Sequence, residues 1–308
     1  RNLVSALSNG GGFGVIACGA MTPDLLATEI DATAAMTNKP FGVNLITMHP
    51  DLHQLIDICL DKKVGHIILA GGLPGGPAIA RAKEGGAKVV CFAPTLSLAK
   101  RLIKQGADAL VIEGAEAGGH IGPVATSVLA QEILPNIDDV PVFIAGGIGL
   151  GGAIVGYLEM GASGCQLGTR FVCAEESIAH DKFKKAFIRA SARDAVPSVQ
   201  LDPQFPVIPV RALQNDATRE FQQTQREVID SFRRGELDQQ AAQLKIEHYW
   251  AGALRRAVVD GDIEAGSMMA GQSVGMVKTI QPAAEILKEL VDQAIAAIEG
   301  RSRSKASV

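Results

Sequence analysis

Seven short apolar runs, each ending in small residues, recur along the chain and constrain its fold more than any other feature. They are apolar on both faces, as parallel strands covered by helices must be, whereas a half-solvated antiparallel strand would alternate apolar and polar positions. Because segments of helical pattern lie between them, the sequence predicts an α/β fold of the (β/α)8 TIM barrel type. The runs are FGVIACG (13–19), FGVNL (41–45), HIILAGG (66–72), KVVCFAP (88–94), DALVIEG (108–114), PVFIAGG (141–147) and SGCQLGT (163–169).

Both ends of the chain are predicted to be helical. The opening RNLVSALSNGG has the pattern of a helix with its glycine stop just after it, and a closed barrel needs eight strands. We therefore expect the first strand to precede this helix and to be missing from this chain through truncation, disorder or processing. At the other end, Pro282 is predicted to open a helix that stops at Gly300. Its apolar stripe is formed by Ile286, Leu290, Ala294 and Ile298.

The strand and helix alternation stops near residue 195. Four prolines then crowd a stretch that can be neither regular helix nor central strand, namely Pro197, Pro203, Pro206 and Pro209. From about Arg211 to His248 the chain is polar and helix-prone. The predicted organisation is a barrel over 1–195, a smaller, mainly helical lid or interface domain over 196–260, and a segment over 261–308 that returns to the barrel.

Charge and composition exclude several classes of partner. The formal net charge is −4, which provides no basic field for nucleic acid or anionic lipid, and the apolar runs are far shorter than the roughly 20 residues of a bilayer span. No signal peptide is visible. The cysteines have no metal-binding spacing, and we interpret them as the reduced thiols of a cytoplasmic protein. They are Cys18, Cys59, Cys91, Cys165 and Cys173.

The chemistry of such a barrel is expected where its strands end. No lysine lies at these ends, which argues against a Schiff-base aldolase, and no cluster of Asp and His offers a metal site. What the ends offer is glycine. The paired Gly146 and Gly147, with Gly168 and Thr169, predict a phosphate held by backbone N–H groups, although paired glycines also form simple turns.

The stretch EGAEAGGHIG (113–122) carries the candidate acid–base group. Gly118 and Gly119 would let the loop lie flat against a planar ligand and deliver His120 to the barrel mouth, where an imidazole can exchange a proton near neutral pH. The alternative is a loop histidine satisfied by a carbonyl. Glu113 is either a salt-bridged strand end or a polar anchor for a cofactor. We interpret the other histidines as structural; they are His49, His53, His66, His180 and His248.

Five motifs together resemble the nitronate monooxygenase family, formerly called 2-nitropropane dioxygenases, and its close relative, the flavin-dependent enoyl-ACP reductase II. They are KPFGVN (39–44), EGAEAGGHIG (113–122), IAGGIG (144–149), LGTRFV (167–172) and GSMMAGQSVG (266–275), and the resemblance runs in order from Arg1 to about Leu290. It implies an FMN protein with an eight-stranded barrel and a smaller appended domain, in which His120 is catalytic. The residues it places around the flavin are Asn44, Glu113, Gly118, Gly119, Gly146, Gly147, Gln166, Gly168, Thr169, Met269 and Gln272.

Two departures from the family pattern accompany this resemblance. The family usually starts with a strand ending in QGGM, whose backbone also contacts FMN, and this piece is absent here. Some members place a lysine near Phe92, and CFAPT (91–95) has none. The first departure puts FMN affinity in question.

The resemblance implies one of two activities. The first is oxidation of alkyl nitronates with O2, with His120 as base or electrostatic partner, and it is favoured by its frequency in the family. The alternative is an NAD(P)H-dependent enoyl-ACP reductase II of fatty acid synthesis, whose branch the stretches EAGGHIG (116–122) and VRALQNDATREF (210–221) resemble more closely. A reductase would dock an acyl carrier protein, for which the basic KFKKAFIRASAR (182–193) is the candidate surface.

Other partners and classes follow from the same observations. We expect a small-molecule substrate, and a homodimer is a further expectation. A non-redox barrel for phosphorylated sugars would explain the paired glycines but not the His120 loop. A scaffold that uses 211–248 as its interface would follow if the missing strand abolished cofactor binding.

Overall fold

The computed structural model describes residues 1–19, 21–207, 209–250 and 252–306, with the side chains of 247–248 and 301–306 left out of the description. Its main sheet contains seven parallel strands, one in each predicted run, which confirms the predicted (β/α) barrel fold. They follow one another in chain order across the sheet. These strands are β1 (Gly14–Ala17), β2 (Phe41–Ile46), β3 (His66–Ala70), β4 (Lys88–Phe92), β5 (Ala109–Glu113), β7 (Val142–Ala145) and β8 (Gly164–Gln166).

Helices connect these strands and cover the outside of the sheet. Two of them begin at threonine caps: the hydroxyl oxygens of Thr22 and Thr95 accept from the amides of Leu25 and Leu98, which satisfies donors that a first helical turn leaves unpaired. The barrel helices are α1 (Asn2–Asn9), α2 (Pro23–Met36), α3 (Leu52–Asp61), α4 (Gly76–Glu84), α5 (Leu96–Lys104), α6 (Thr126–Ile133), α7 (Gly151–Glu159) and α8 (Asp181–Arg189).

Side-chain alternation along the strands decides what faces the barrel interior. In β2, Val43 and Leu45 are fully buried in the core that packs against the helices. Because successive side chains point to opposite faces of a strand, Asn44 faces the interior. The same argument applied to β5, where Leu110 and Ile112 belong to that core, turns Glu113 inward.

A second, antiparallel sheet joins the barrel to the rest of the chain. It consists of β6 (Gly119–His120), β9 (Ala195–Pro197) and β10 (Val210–Leu213), with β10 in the middle. The predicted helical character from Arg211 is therefore wrong for its first residues, because these residues pair with β6 and β9. The domain boundaries at 195 and 260 stay a prediction.

Helical structure follows this sheet, as the sequence predicts for most of the polar segment. The helices are α9 (Asp216–Arg233), α10 (Gln239–His248) and α11 (Ala253–Val258). Their apolar contacts form a small core separate from the barrel core, made of Phe205, Phe221, Val228, Ile229, Ala242 and Ile246. The side chain of His248, which was interpreted as structural, lies outside the described residues.

The last helix, α12 (Ala283–Ala306), is longer than predicted. Gly300 does not stop it, because glycine ends a helix by adopting positive φ and Gly300 does not. The predicted apolar stripe is buried only in its first part: Ile286 and Leu290 are buried, whereas Ile298 is 53% exposed. No helix in the described part of the chain combines the length and the apolarity that a bilayer span requires.

Candidate active site

Three neighbouring strands end at one edge of the barrel, and two of them bring a polar side chain there. The strand register places Glu113 opposite Ala145, and Ala145 opposite Gln166. Since these strands are parallel, all three residues lie at their carboxyl ends, which is where barrel enzymes bind their ligands.

A cavity of about 230 Å³ opens at this edge. It brings together most of the predicted cofactor residues: Glu113, Gly118, Gly146, Gly147, Gln166, Gly168 and Thr169. It is also lined by residues that the sequence analysis did not single out, although each adjoins a predicted one or its motif: Ala117, Ala145, Ile148, Leu167 and Ser273.

A second depression, of about 610 Å³, lies on the helical segment and is shallower. No acid, base or nucleophile is among its lining residues, so it offers no chemistry despite its size. They are Gln204, Pro206, Gln239, Gln240, Gln243 and Leu244.

Glu113 carries an unusual carboxyl group. Burial raises its pKa to about 7. Within the described chain, no group donates a hydrogen bond to this carboxyl and no cation pairs with it, so the salt-bridged alternative is not formed. A half-buried carboxyl that titrates near neutrality and faces a cavity can accept or donate a hydrogen bond to a bound ligand.

Two glycine loops, one carrying Gly146 and Gly147 and the other carrying Gly168 and Thr169, supply backbone N–H donors to the same cavity. Among the described residues, the amides of Gly147, Gly168 and Thr169 find no acceptor. Gly146 and Gly147 have φ values of +94° and +73°, a conformation that favours glycine. A Cβ added at Gly168 would meet nothing within 4 Å, so the backbone there borders open space. Unpaired amides beside such space are the arrangement that binds anions such as phosphate.

His120 lies in β6 at the rim of the site rather than in the cavity lining. The residue is exposed, yet the nearby protein removes part of the water around its ring, and this desolvation lowers the pKa of the imidazole. No carbonyl or other described group bonds to this imidazole, so the satisfied-loop alternative is not formed. The pairing of His120 with Val210 fixes its backbone to the second sheet.

The segment over 261–308 contacts two loops of the site, the loop that carries Thr169 and the loop that carries Glu116. The Gly271 amide donates to Thr169 Oγ1 at 2.9 Å, and the Gln272 amide donates to the Glu116 carbonyl at 2.9 Å. A Cβ added at Gly118 would lie 2.5 Å from the Gly271 nitrogen, which shows how closely the segment packs on the His120 loop.

Four predicted cofactor residues lie outside the cavity lining. Gly119 and Met269 approach each other, since a Cβ added at Gly119 would lie 3.6 Å from the Met269 sulfur. Gln272 contributes its backbone contact to the loop. Asn44 lies on β2, away from the three strands of the cavity, and its half-buried side chain has no hydrogen-bond partner within the described chain.

The contacts that Thr126 and Arg211 make around the loop were not predicted. The Glu116 carboxylate accepts from the Thr126 amide at 2.9 Å, and Thr126 Oγ1 lies 2.8 Å from the same oxygen and 3.3 Å from the Gly146 carbonyl oxygen. The buried Arg211 guanidinium donates to the Ala115 carbonyl at 2.9 Å. These contacts fix the loop between Glu113 and His120, and no local sequence signal marks them.

The basic stretch 182–193 is only partly a surface. Lys184 is buried, and its ammonium donates to the Ala174 carbonyl at 2.7 Å, because α8 turns this residue toward the barrel. The cations that it leaves exposed include Lys182, Lys185 and Arg189.

Comparisons with known proteins identify the family to which the chain belongs. A family model described as nitronate monooxygenase matches residues 1–58 and 51–293. Among curated proteins, the (3aS,4S,5R,7aS)-5-hydroxy-7a-methyl-1-oxo-octahydro-1H-indene-4-carboxyl-CoA dehydrogenase of Mycobacterium tuberculosis (strain ATCC 25618 / H37Rv) is 30% identical, over 97% of this chain and 91% of that protein. A probable nitronate monooxygenase of Staphylococcus aureus (strain MRSA252) is 27% identical, over 94% and 90%.

Solved structures of two relatives resemble this chain along most of its length. FabK from Thermotoga maritima is 35% identical with a TM-score of 0.87, over 98% of this chain and 91% of that one. A nitroalkane oxidase from Streptomyces ansochromogenes is 26% identical with a TM-score of 0.79, over 97% and 93%. The chain therefore belongs to the nitronate monooxygenase family and is a flavin-dependent oxidoreductase.

Proposed function

We propose that this protein is an FMN-dependent nitronate monooxygenase that oxidises alkyl nitronates with O2, using His120 beside the flavin. The observation that carries the proposal is the meeting of unpaired backbone donors and the unpaired Glu113 carboxyl in one cavity, next to a histidine whose pKa is lowered.

The residues present fit FMN. The amides of Gly147, Gly168 and Thr169 would hold its phosphate, since they lack acceptors and Gly168 borders open space. Glu113 would hydrogen-bond to a polar group of the cofactor. When bound, FMN would supply the centre that accepts an electron from the substrate and passes reducing power to O2.

The role of His120 follows from its protonation state. Because its pKa is lowered from an ordinary value of 6.5, the imidazole is neutral at pH 7 and can accept a proton. Beside a bound nitronate, a neutral imidazole can accept a proton or donate its N–H to a nitronate oxygen as an electrostatic partner. In an enoyl reductase the same imidazole would instead donate a proton or orient the thioester carbonyl.

A specific observation also favours a second candidate, an NAD(P)H-dependent enoyl-ACP reductase II. The relative that is 30% identical is a carboxyl-CoA dehydrogenase by name, which suggests a thioester substrate for this chain as well. No lysine or arginine is among the residues that line the described cavity, and an anionic nitronate would gain from one. Under this candidate the exposed Lys182, Lys185 and Arg189 would face an acidic acyl carrier protein.

One experiment separates the candidates. FMN-loaded protein is mixed with propyl-2-nitronate while oxygen uptake is followed, and separately with NADPH or NADH and a crotonyl thioester while nicotinamide oxidation is followed. The monooxygenase predicts oxygen uptake with the nitronate alone. Thioester-dependent nicotinamide oxidation without nitronate turnover would replace it with the reductase. Homodimer formation and a cytoplasmic location stay predictions.

A further inference from the structure

We propose that α12 is part of the cofactor site, with Gln293 and Glu289 as positioning residues. These two side chains fix the position of one glycine loop of the cavity, after β7, with respect to the other, after β8. The inference rests on the proposed function, because the ligand of these loops is the phosphate of FMN.

The first link runs from α12 to the loop after β7. The Gly151 amide donates to Gln293 Oε1 at 2.8 Å, although the two residues are 142 positions apart. Gly151 begins α7, four residues after Gly147 of the cavity. A Cβ at Gly151 would overlap the Leu290 carbonyl oxygen and lie 2.6 Å from the Ala294 nitrogen, so the start of α7 rests directly on the α12 backbone.

The second link runs from α12 to the loop after β8. Arg170 directly follows Thr169 of the cavity, and its guanidinium Nη2 donates to Glu289 Oε2 at 2.7 Å. The arginine is 3% exposed, and its Nη1 has no hydrogen-bond partner within the described chain. A buried guanidinium tied to one carboxylate therefore fixes where this loop leaves the sheet.

The two links are joined by one side chain. Gln293 accepts from Gly151 through its oxygen, and its Nε2 donates to Glu289 Oε1 at 3.1 Å. Glu289 Oε2 also accepts from Gln281 Nε2 at 3.2 Å. A displacement of either loop would break one of these hydrogen bonds. Gln293 and Glu289 therefore couple the loop that carries Gly147 to the loop that carries Gly168.

The coupling has a measurable consequence for binding. An anion held by amides from both loops needs the loops in a fixed relation, and preorganisation of this kind raises affinity by lowering the ordering cost of binding. Linkage is reciprocal, so FMN bound to the loops must in turn stabilise the docking of α12.

The experiment is a fluorescence titration of cofactor-free protein with FMN, in the wild type, in Gln293→Met, and in Lys288→Met as control. Lys288 lies on the same helix, is exposed and contacts Asp292. Because a net hydrogen bond changes an equilibrium constant by roughly threefold to tenfold, the Kd for FMN should rise by that factor in Gln293→Met and stay within twofold of wild type in Lys288→Met. Thermal melting without FMN is measured alongside, since a merely structural role would lower Tm and leave Kd unchanged.

Hydrogen exchange of the wild type tests the same claim without any variant. Added FMN should slow amide exchange in residues 283–294 of α12 together with exchange at the cavity loops. An unchanged Kd in folded Gln293→Met, or protection of the loops without protection of α12, overturns the inference alone. A wild type that binds no FMN refutes the proposed cofactor and the inference with it.

Discussion

Replacing Glu113 with glutamine should stabilise the folded protein above pH 7 and leave its stability unchanged near pH 4. The carboxyl faces the cavity without a hydrogen-bond donor or a cation among the described residues, and burial raises its pKa from 4.5 to about 7. Glutamine has nearly the same shape and carries no charge at any pH.

The sign and the size follow from linkage. Burial in the folded protein favours the protonated carboxyl. Below the pKa of the unfolded chain both the folded and the unfolded states are protonated, so the carboxyl does not lower the free energy of unfolding. As the pH rises from 4.5 to about 7, the carboxyl ionises in the unfolded chain but not in the folded one, and the free energy of unfolding falls. Above pH 7 this loss of stability is complete. A shift of this size corresponds to at most about 3 kcal/mol, at about 1.4 kcal/mol for each pKa unit.

The assay is urea unfolding, followed by circular dichroism without added flavin, at pH 4 and pH 8. The expected result is a gain of up to about 3 kcal/mol for Glu113→Gln at pH 8 and no gain at pH 4. Glu132→Gln is the control, since Glu132 is exposed on α6. An equal effect of Glu113→Gln at the two pH values would show that its carboxyl is ionised normally and would refute the reasoning.

The remaining predictions concern the loops around the cavity. His120→Ala should lower kcat/KM with nitronate by about 10²-fold, whereas loss of the exposed imidazole in His53→Ala should leave it unchanged; equal rates in the two variants would remove the acid–base role. Gly118→Ala places a Cβ 2.5 Å from a backbone nitrogen and should cost about 1–3 kcal/mol in urea unfolding, while Gly122→Ala, with nothing within 4 Å, should cost little. Gly168→Ala has φ of −112° and open space, so it should leave Tm unchanged and weaken FMN binding in a fluorescence titration; unchanged affinity would place the phosphate elsewhere.

The barrel could be predicted because its strands are covered on both faces, which makes each one a continuous apolar run. Glu113, the polar residue at the end of one of those runs, then marks the ligand edge without any knowledge of tertiary contacts, whereas Gln166 was predicted only through the family resemblance. The glycines at 146–147 and 168 could be found for the same reason, since they directly follow predicted strands.

What could not be predicted depends on contacts between distant residues. β6 is only two residues long and exists because Val210 and Arg211 pair with it, so neither strand has a local pattern. The bond from Gly151 to Gln293 spans 142 positions and leaves no periodic signal. The predicted stop at Gly300 is wrong because glycine in a helix costs about 1 kcal/mol but does not end the helix by itself.

The most direct test of the proposed activity is oxygen uptake by FMN-loaded protein supplied with propyl-2-nitronate. The account predicts saturable uptake that requires FMN and falls by about 10²-fold in His120→Ala. No uptake with nitronate, together with NADPH oxidation that depends on a crotonyl thioester, would contradict it and assign the site to thioester reduction.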